Sequence, residues 1–115
     1  MHPISMKNGK QYLINNSEIK SLVEHNGYCI ASDEITVAGK SVGYMYRELP
    51  DDSYDSGWRF FSGEESQEYV DNPDNFGVYD INTIANYDST IIAYIFSPVG
   101  SEYIRIGDRF VSTEK

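Results

Sequence analysis

The chain has one cysteine, two histidines and one tryptophan in 115 residues, and only nine lysines and arginines against eighteen acids. A single thiol, Cys29, excludes an intrachain disulfide and, with no second cysteine, a structural zinc cluster. A reducing, cytoplasmic home is therefore expected. The shortage of bases argues against a nucleic-acid partner, because affinity for phosphate comes from clustered Lys and Arg that release counterions. Long apolar runs are also missing. The longest, Ile91-Ile92-Ala93-Tyr94-Ile95-Phe96, is too short to span a bilayer, and Met1 to Lys7 lacks the basic start and apolar core of a signal peptide. No membrane partner is expected.

What is present is an apolar and aromatic chain with localised acidity. A hydrophobic fraction of 40% and ten tyrosines are too much for disorder, and the length suits one domain with one core. Residues 48–80 contain ten acids and one base, Arg59, while the flanks nearly cancel, so this segment accounts for the net charge of −9. An acidic patch of this kind suits a basic partner, although acids also simply keep a small protein soluble.

The pattern along the chain predicts an α+β fold: a small single domain with a mainly antiparallel sheet and a few short helices. Residues 1–27 are read as an N-terminal extension and 28–115 as the α+β domain. Asn8-Gly9 reads as a turn, and Ser17 as the cap of a helix over 17–25, with Ile19, Leu22 and Val23 at helical spacing. Strands are expected at 28–31 and 35–37. The latter would form a hairpin with 42–47 through Ala38-Gly39-Lys40. Trp58 to Phe61 reads as a strand with Trp58 and Phe60 on one face. Ser62 and Glu65 have capping-box spacing for a short helix before Pro73, and Asp80 caps a helix over 81–86. Residues 77–79, 103–106 and 109–111 read as strands. Residues 90–96 lean towards a helix ended by Pro98 and Gly100.

No constellation carries catalysis. Cys29 pairs poorly with His2, near the terminus, or His25, at the end of the expected helix, and an inert buried thiol explains it better. Gly39-Lys40-Ser41 imitates the end of a P-loop, but Glu34 stands where the first glycine is required. Calcium loops opening at Asp51 or Asn72 fail at their twelfth positions, Ser62 and Thr83. Chance pairs of carboxylates are inexpensive in so acidic a chain. No enzyme activity, metal or cofactor is expected.

The stretch Asp55-Ser56-Gly57-Trp58-Arg59-Phe60, followed by Ser62-Gly63-Glu64-Glu65, combines the lone tryptophan with the acidic run. Trp58 reads as the core anchor. Arg47, Ser56, Gly57, Phe60 and Gly63 join it as a structural motif, while Asp55, Glu64, Glu65 and Glu68, with Tyr54 and Tyr69, are the candidate partner contacts. An alternative is a small-ligand or metal site between Arg47, Asp55 and Trp58.

These blocks, with Ser32-Asp33-x-Ile35-Thr36 and Gly39, Val42 to Glu48, Asn82-Thr83-Ile84-Ala85-Asn86, and a weaker match from Pro98 to Arg105, resemble the immunity-protein 33-like family of bacterial polymorphic toxin systems. The resemblance covers roughly residues 28–106 and brings no catalytic residues. It implies a small cytoplasmic α+β protein that binds and neutralises a cognate toxin. The acidity adds a mechanism, steering onto a basic toxin site such as a nuclease cleft.

Overall fold

The computed structural model describes residues 6–7, 10–24 and 27–113. Strands β1 (Met6–Lys7) and β2 (Lys10–Gln11) pair as a small hairpin. The main sheet has six strands: β3 (Tyr28–Ser32), β4 (Tyr44–Arg47), β5 (Asp55–Phe61), β6 (Phe76–Asp80), β7 (Glu102–Ile106) and β8 (Arg109–Ser112). Their spatial order is β6-β3-β5-β4-β7-β8, with β3 and β5 parallel and every other pair antiparallel. The short helices are α1 (Asp33–Thr36), α2 (Gln67–Val70) and α3 (Ile81–Tyr87). The α+β architecture with a mainly antiparallel sheet is the one expected.

Strand alternation sorts the two faces of the sheet. Phe60 lies across from Met45 on one side and Ala31 on the other, and Met45 across from Tyr103, so these side chains share a face. With Cys29, Trp58 and Phe110 they bury against Ile35 of α1, Ile81 and Ile84 of α3, and Ile91 and Ile95 after it. Trp58 and Phe60 stack at 5.9 Å between ring centroids, as their shared face requires. The opposite face carries Ile30, Arg59, Tyr46, Tyr44, Phe61 and Ile104. No helix from the 81–97 region covers it. The connection 62–75, which carries α2, borders it instead, with Tyr69 packed edge-on to Phe76.

Several elements differ from the sequence reading. Among the described residues of the 17–25 stretch there is no α-helix. Asn15, not Ser17, caps a single 3-10 turn at Asn16–Glu18. The backbone beyond it is claimed by other side chains: Asn82 Oδ1 accepts from the N–H of Leu22 and Val23, and Asn86 Oδ1 from that of Lys20. His25, Asn26 and the Asn8-Gly9 turn lie outside the described residues.

The expected strand at 35–37 is helical. Ser32 Oγ accepts from Glu34 N–H at 3.1 Å and starts α1, which buries Ile35 and Thr36. Strand β4 therefore pairs with β5 and β7, and the hairpin through Gly39 does not form. Glu65 accepts from Ser62 N–H and Ser62 Oγ from Glu64 N–H, but no helix starts there, and α2 begins later, capped by Ser66. Asp80 caps α3 as read, and the helix expected over 90–96 is a 3-10 helix at Ser89–Ala93.

Candidate functional site

The Asp55 to Phe60 block is a bulged strand. Tyr28 pairs with Asp55 and Ile30 with Arg59, so β5 spends four residues where β3 spends two. The extra length is taken up at Gly57, whose φ is +90°, and a Cβ there would lie 2.2 Å from the Glu48 carbonyl oxygen. Only glycine allows that backbone approach. Ser56 Oγ accepts from Trp58 N–H at 3.1 Å, and the Trp58 indole donates to the Ile95 carbonyl at 2.9 Å.

The bulge brings Asp55 and Arg59 together. The guanidinium donates Nη1 to Asp55 Oδ1 at 3.0 Å, Nη2 to Asp55 Oδ2 at 2.7 Å, and Nε to Glu48 Oε2 at 2.6 Å. Asp55 also accepts from the N–H of Asp51 and Gly57, both at 2.9 Å. The Arg59 guanidinium, aided by these backbone donors, holds the Asp55 carboxyl well below the usual range despite burial. Arg47 donates to the carbonyls of Ser56 and Ser97 at 2.8 and 2.7 Å, tying β5 to the 89–97 region. Arg47, Asp55 and Trp58 are thus engaged in holding the fold. No group of three or more His, Cys, Asp or Glu among the described residues could hold a metal ion.

The candidate partner contacts fall into three kinds. Asp55 is 5% exposed and engaged as above. Glu65 is half-buried and accepts from the N–H of Ser62 and Gly63 at 2.8 and 3.0 Å. Burial raises its pKa, but hydrogen bonds from the Ser62 backbone and the Ser32 and Ser62 hydroxyls outweigh that and lower it. Tyr54, Glu64 and Glu68 are exposed, with Glu64 paired to Lys40 at 2.7 Å, and Tyr69 is half-buried against Phe76. Gly63, at φ +92°, abuts Gly43, where a Cβ would lie 2.0 Å from the Ser62 carbonyl oxygen. The exposed acids Glu64, Glu68, Asp71 and Asp74 all lie on the 62–75 connection, at the border of the open sheet face.

That open face holds what the sequence reading did not assemble. Tyr44, Tyr46 and Phe61 are mutual neighbours, with centroids 5.6 to 5.9 Å apart, and Phe61 continues edge-on to Phe76 at 5.6 Å. Beside them a groove of about 590 Å³ is lined by Tyr44, Tyr46, Phe61, Glu65, Val70 and Ile104, with Gly43 and Gly63. Tyr44 donates its hydroxyl to Glu102 Oε2 at the groove's margin. The signal was present: Tyr44 and Tyr46 alternate, and Phe61 has the opposite phase to Phe60. It was obscured by the expected partner for β4, the strand at 35–37 that is in fact helical.

The family model for the immunity protein Imm33 domain matches residues 29–112. The chain belongs to the Imm33 family. The Imm33 match begins one residue into β3 and ends with β8, so it takes in nearly the whole six-stranded sheet, all three helices and the Asp55 to Glu65 block. Strands β1 and β2 lie outside it. A comparison with curated proteins finds no match, and neither does one with solved structures.

Proposed function

We propose that this Imm33 protein is a bacterial immunity protein of the cytoplasm that neutralises a cognate protein toxin by stoichiometric binding, without catalysis. The observation that carries the reading is the family match over 29–112. The distribution of charge supports the mechanism. Acids on the 62–75 connection stand exposed beside a sheet face that no helix from the 81–97 region covers, whereas the buried acid of the motif, Asp55, is neutralised by Arg59. A surface of this kind speeds encounter with a basic partner, such as the cleft of a nuclease, and covers it. Co-expression with its proposed cognate toxin tests the proposal. The wild-type chain rescues growth, and Glu64, Glu68 and Asp71 reversed together to Lys lose protection while the protein stays folded. Unchanged protection by the reversed variant would sink the acidic-surface mechanism, and no protection by the wild type would sink the immunity reading.

A further inference from the structure

The groove on the open sheet face has a floor, a wall and a charge. Its floor is three aromatic rings in mutual contact, Tyr44, Tyr46 and Phe61. Ile104, 40% exposed, and Val70, 37% exposed, line the groove as well. Its lining contains one carboxylate, Glu65, and no basic side chain. Arg59, across from Tyr46 on that face, is 3% exposed and neutralised by Asp55 and Glu48, and the exposed Lys40 is paired with Glu34 and Glu64, so both cations are already matched. A volume of about 590 Å³ falls within the roughly 300–1,000 Å³ of clefts that bind small groups.

An aliphatic ligand alone would leave the charge of Glu65 and the negative faces of the rings unmatched. An anion would be repelled by it. A side chain with an apolar stem and a cationic head suits every wall: the stem lies along Ile104 and Val70, and the head over the negative faces of the rings beside the Glu65 charge. The N–H groups of Ser62 and Gly63, with the Ser32 and Ser62 hydroxyls beside it, already hold Glu65, so what it offers a ligand is its negative charge. These bonds also fix the group, so it need not be ordered when the ligand arrives.

We infer that the groove bounded by Tyr44, Tyr46, Phe61, Glu65 and Ile104 is the seat for an arginine or lysine side chain presented by a partner protein. The inference rests on the toxin-binding reading and specifies the chemistry of its centre: the exposed acids steer, and the groove anchors. Arginine fits better than lysine, because its planar guanidinium stacks on rings. Anchors of this kind, an aromatic pocket filled by one long side chain, dominate interface energies elsewhere.

The test uses the whole protein and a probe independent of any toxin. An acetylated, amidated Gly-Arg-Gly-Arg-Gly peptide is titrated into the isotope-labelled chain by NMR, beside the same peptide with citrulline for arginine. The arginine peptide shifts the resonances of Tyr44, Tyr46, Phe61 and Ile104. The citrulline peptide binds at least tenfold more weakly. Ile104→Lys, at a half-exposed position that tolerates polarity, retains its circular dichroism spectrum and loses the arginine peptide. Tyr46→Ala weakens binding tenfold or more. Shifts confined to the exposed acids, equal binding of both peptides, or no shifts would overturn the inference. Protection in co-expression together with a silent groove leaves the immunity reading standing and removes this one. Peptide binding without protection does the reverse.

Discussion

Asp55 and Arg59, four residues apart on one strand, meet in a two-pronged ion pair at 3.0 and 2.7 Å because the bulge at Gly57 shortens the distance between them. Both side chains are almost fully buried, so neither is available as a surface charge. Their value to the fold is in what happens when one is removed.

Asp55→Ala leaves the Arg59 guanidinium short of its main partner in the interior. Breaking a buried pair from one side costs about 3–5 kcal/mol. Replacing both, as in Asp55→Ala with Arg59→Met, recovers much of that loss, since no charge is then stranded. Urea unfolding of the three proteins checks it, and a single-variant loss below 1 kcal/mol would show that the pair does not hold the bulge.

The same pair sets an acid limit on stability. Arg59 depresses the folded pKa of Asp55, so the folded state binds fewer protons than the unfolded state and stability rises with pH in this range. The contribution is complete above the unfolded aspartate value of ~3.9 and is lost as pH falls through the folded value. Unfolding free energy measured from pH 7 down to pH 3 falls more steeply for the wild type than for Asp55→Asn, which lacks the titrating group.

Gly57→Ala meets the Glu48 carbonyl oxygen at 2.2 Å as well as a left-handed backbone. Gly107→Ala has a positive φ but nothing within 4 Å of its Cβ. The second substitution costs about 1–2 kcal/mol, the backbone penalty alone. The first costs clearly more, because β4 and β5 must separate to admit the methyl group. Thermal unfolding of both variants ranks them, and equal losses would contradict the close approach.

Trp58 is the sole tryptophan, is 0% exposed, and donates to a buried carbonyl. Its fluorescence is blue-shifted and resists iodide in the folded protein, and it moves to the red on unfolding. Trp58→Phe leaves the Ile95 carbonyl unpaired and a void beside it, a loss of about 2–4 kcal/mol.

Glu65 and Glu68 separate structure from recognition within three residues. Glu68→Lys changes stability by less than about 0.5 kcal/mol, as exposed substitutions do. Glu65→Lys removes the acceptor for two backbone N–H groups at the Gly63 turn and destabilises measurably. Denaturant midpoints for the two variants check this directly.

Much of this was readable in the residues, and the reasons for the rest are physical. Trp58 with Phe60, the Asp80 cap and the strands around Gly107-Asp108 were legible because each depends on local pattern. The 17–25 segment has helical spacing, but Asn82 and Asn86, some sixty residues away, take its backbone donors. Ile35 to Val37 is β-branched, yet the Ser32 cap and burial of Ile35 against α3 make the start of that stretch helical. The sequence places Asp55 among the surface acids because a bulge that buries a carboxylate against Arg59 leaves no mark in the spacing except Gly57. The aromatic groove depends on the register of β4 against β5, which is set by tertiary pairing.

The central claim is neutralisation by binding, and isothermal titration of the purified chain with its proposed cognate toxin tests that most directly. One chain binds one toxin with an affinity that falls as salt is raised, the bound toxin is inactive, and the chain is recovered unchanged. Absence of binding, or inactivation by amounts of the chain far below those of the toxin, would contradict it.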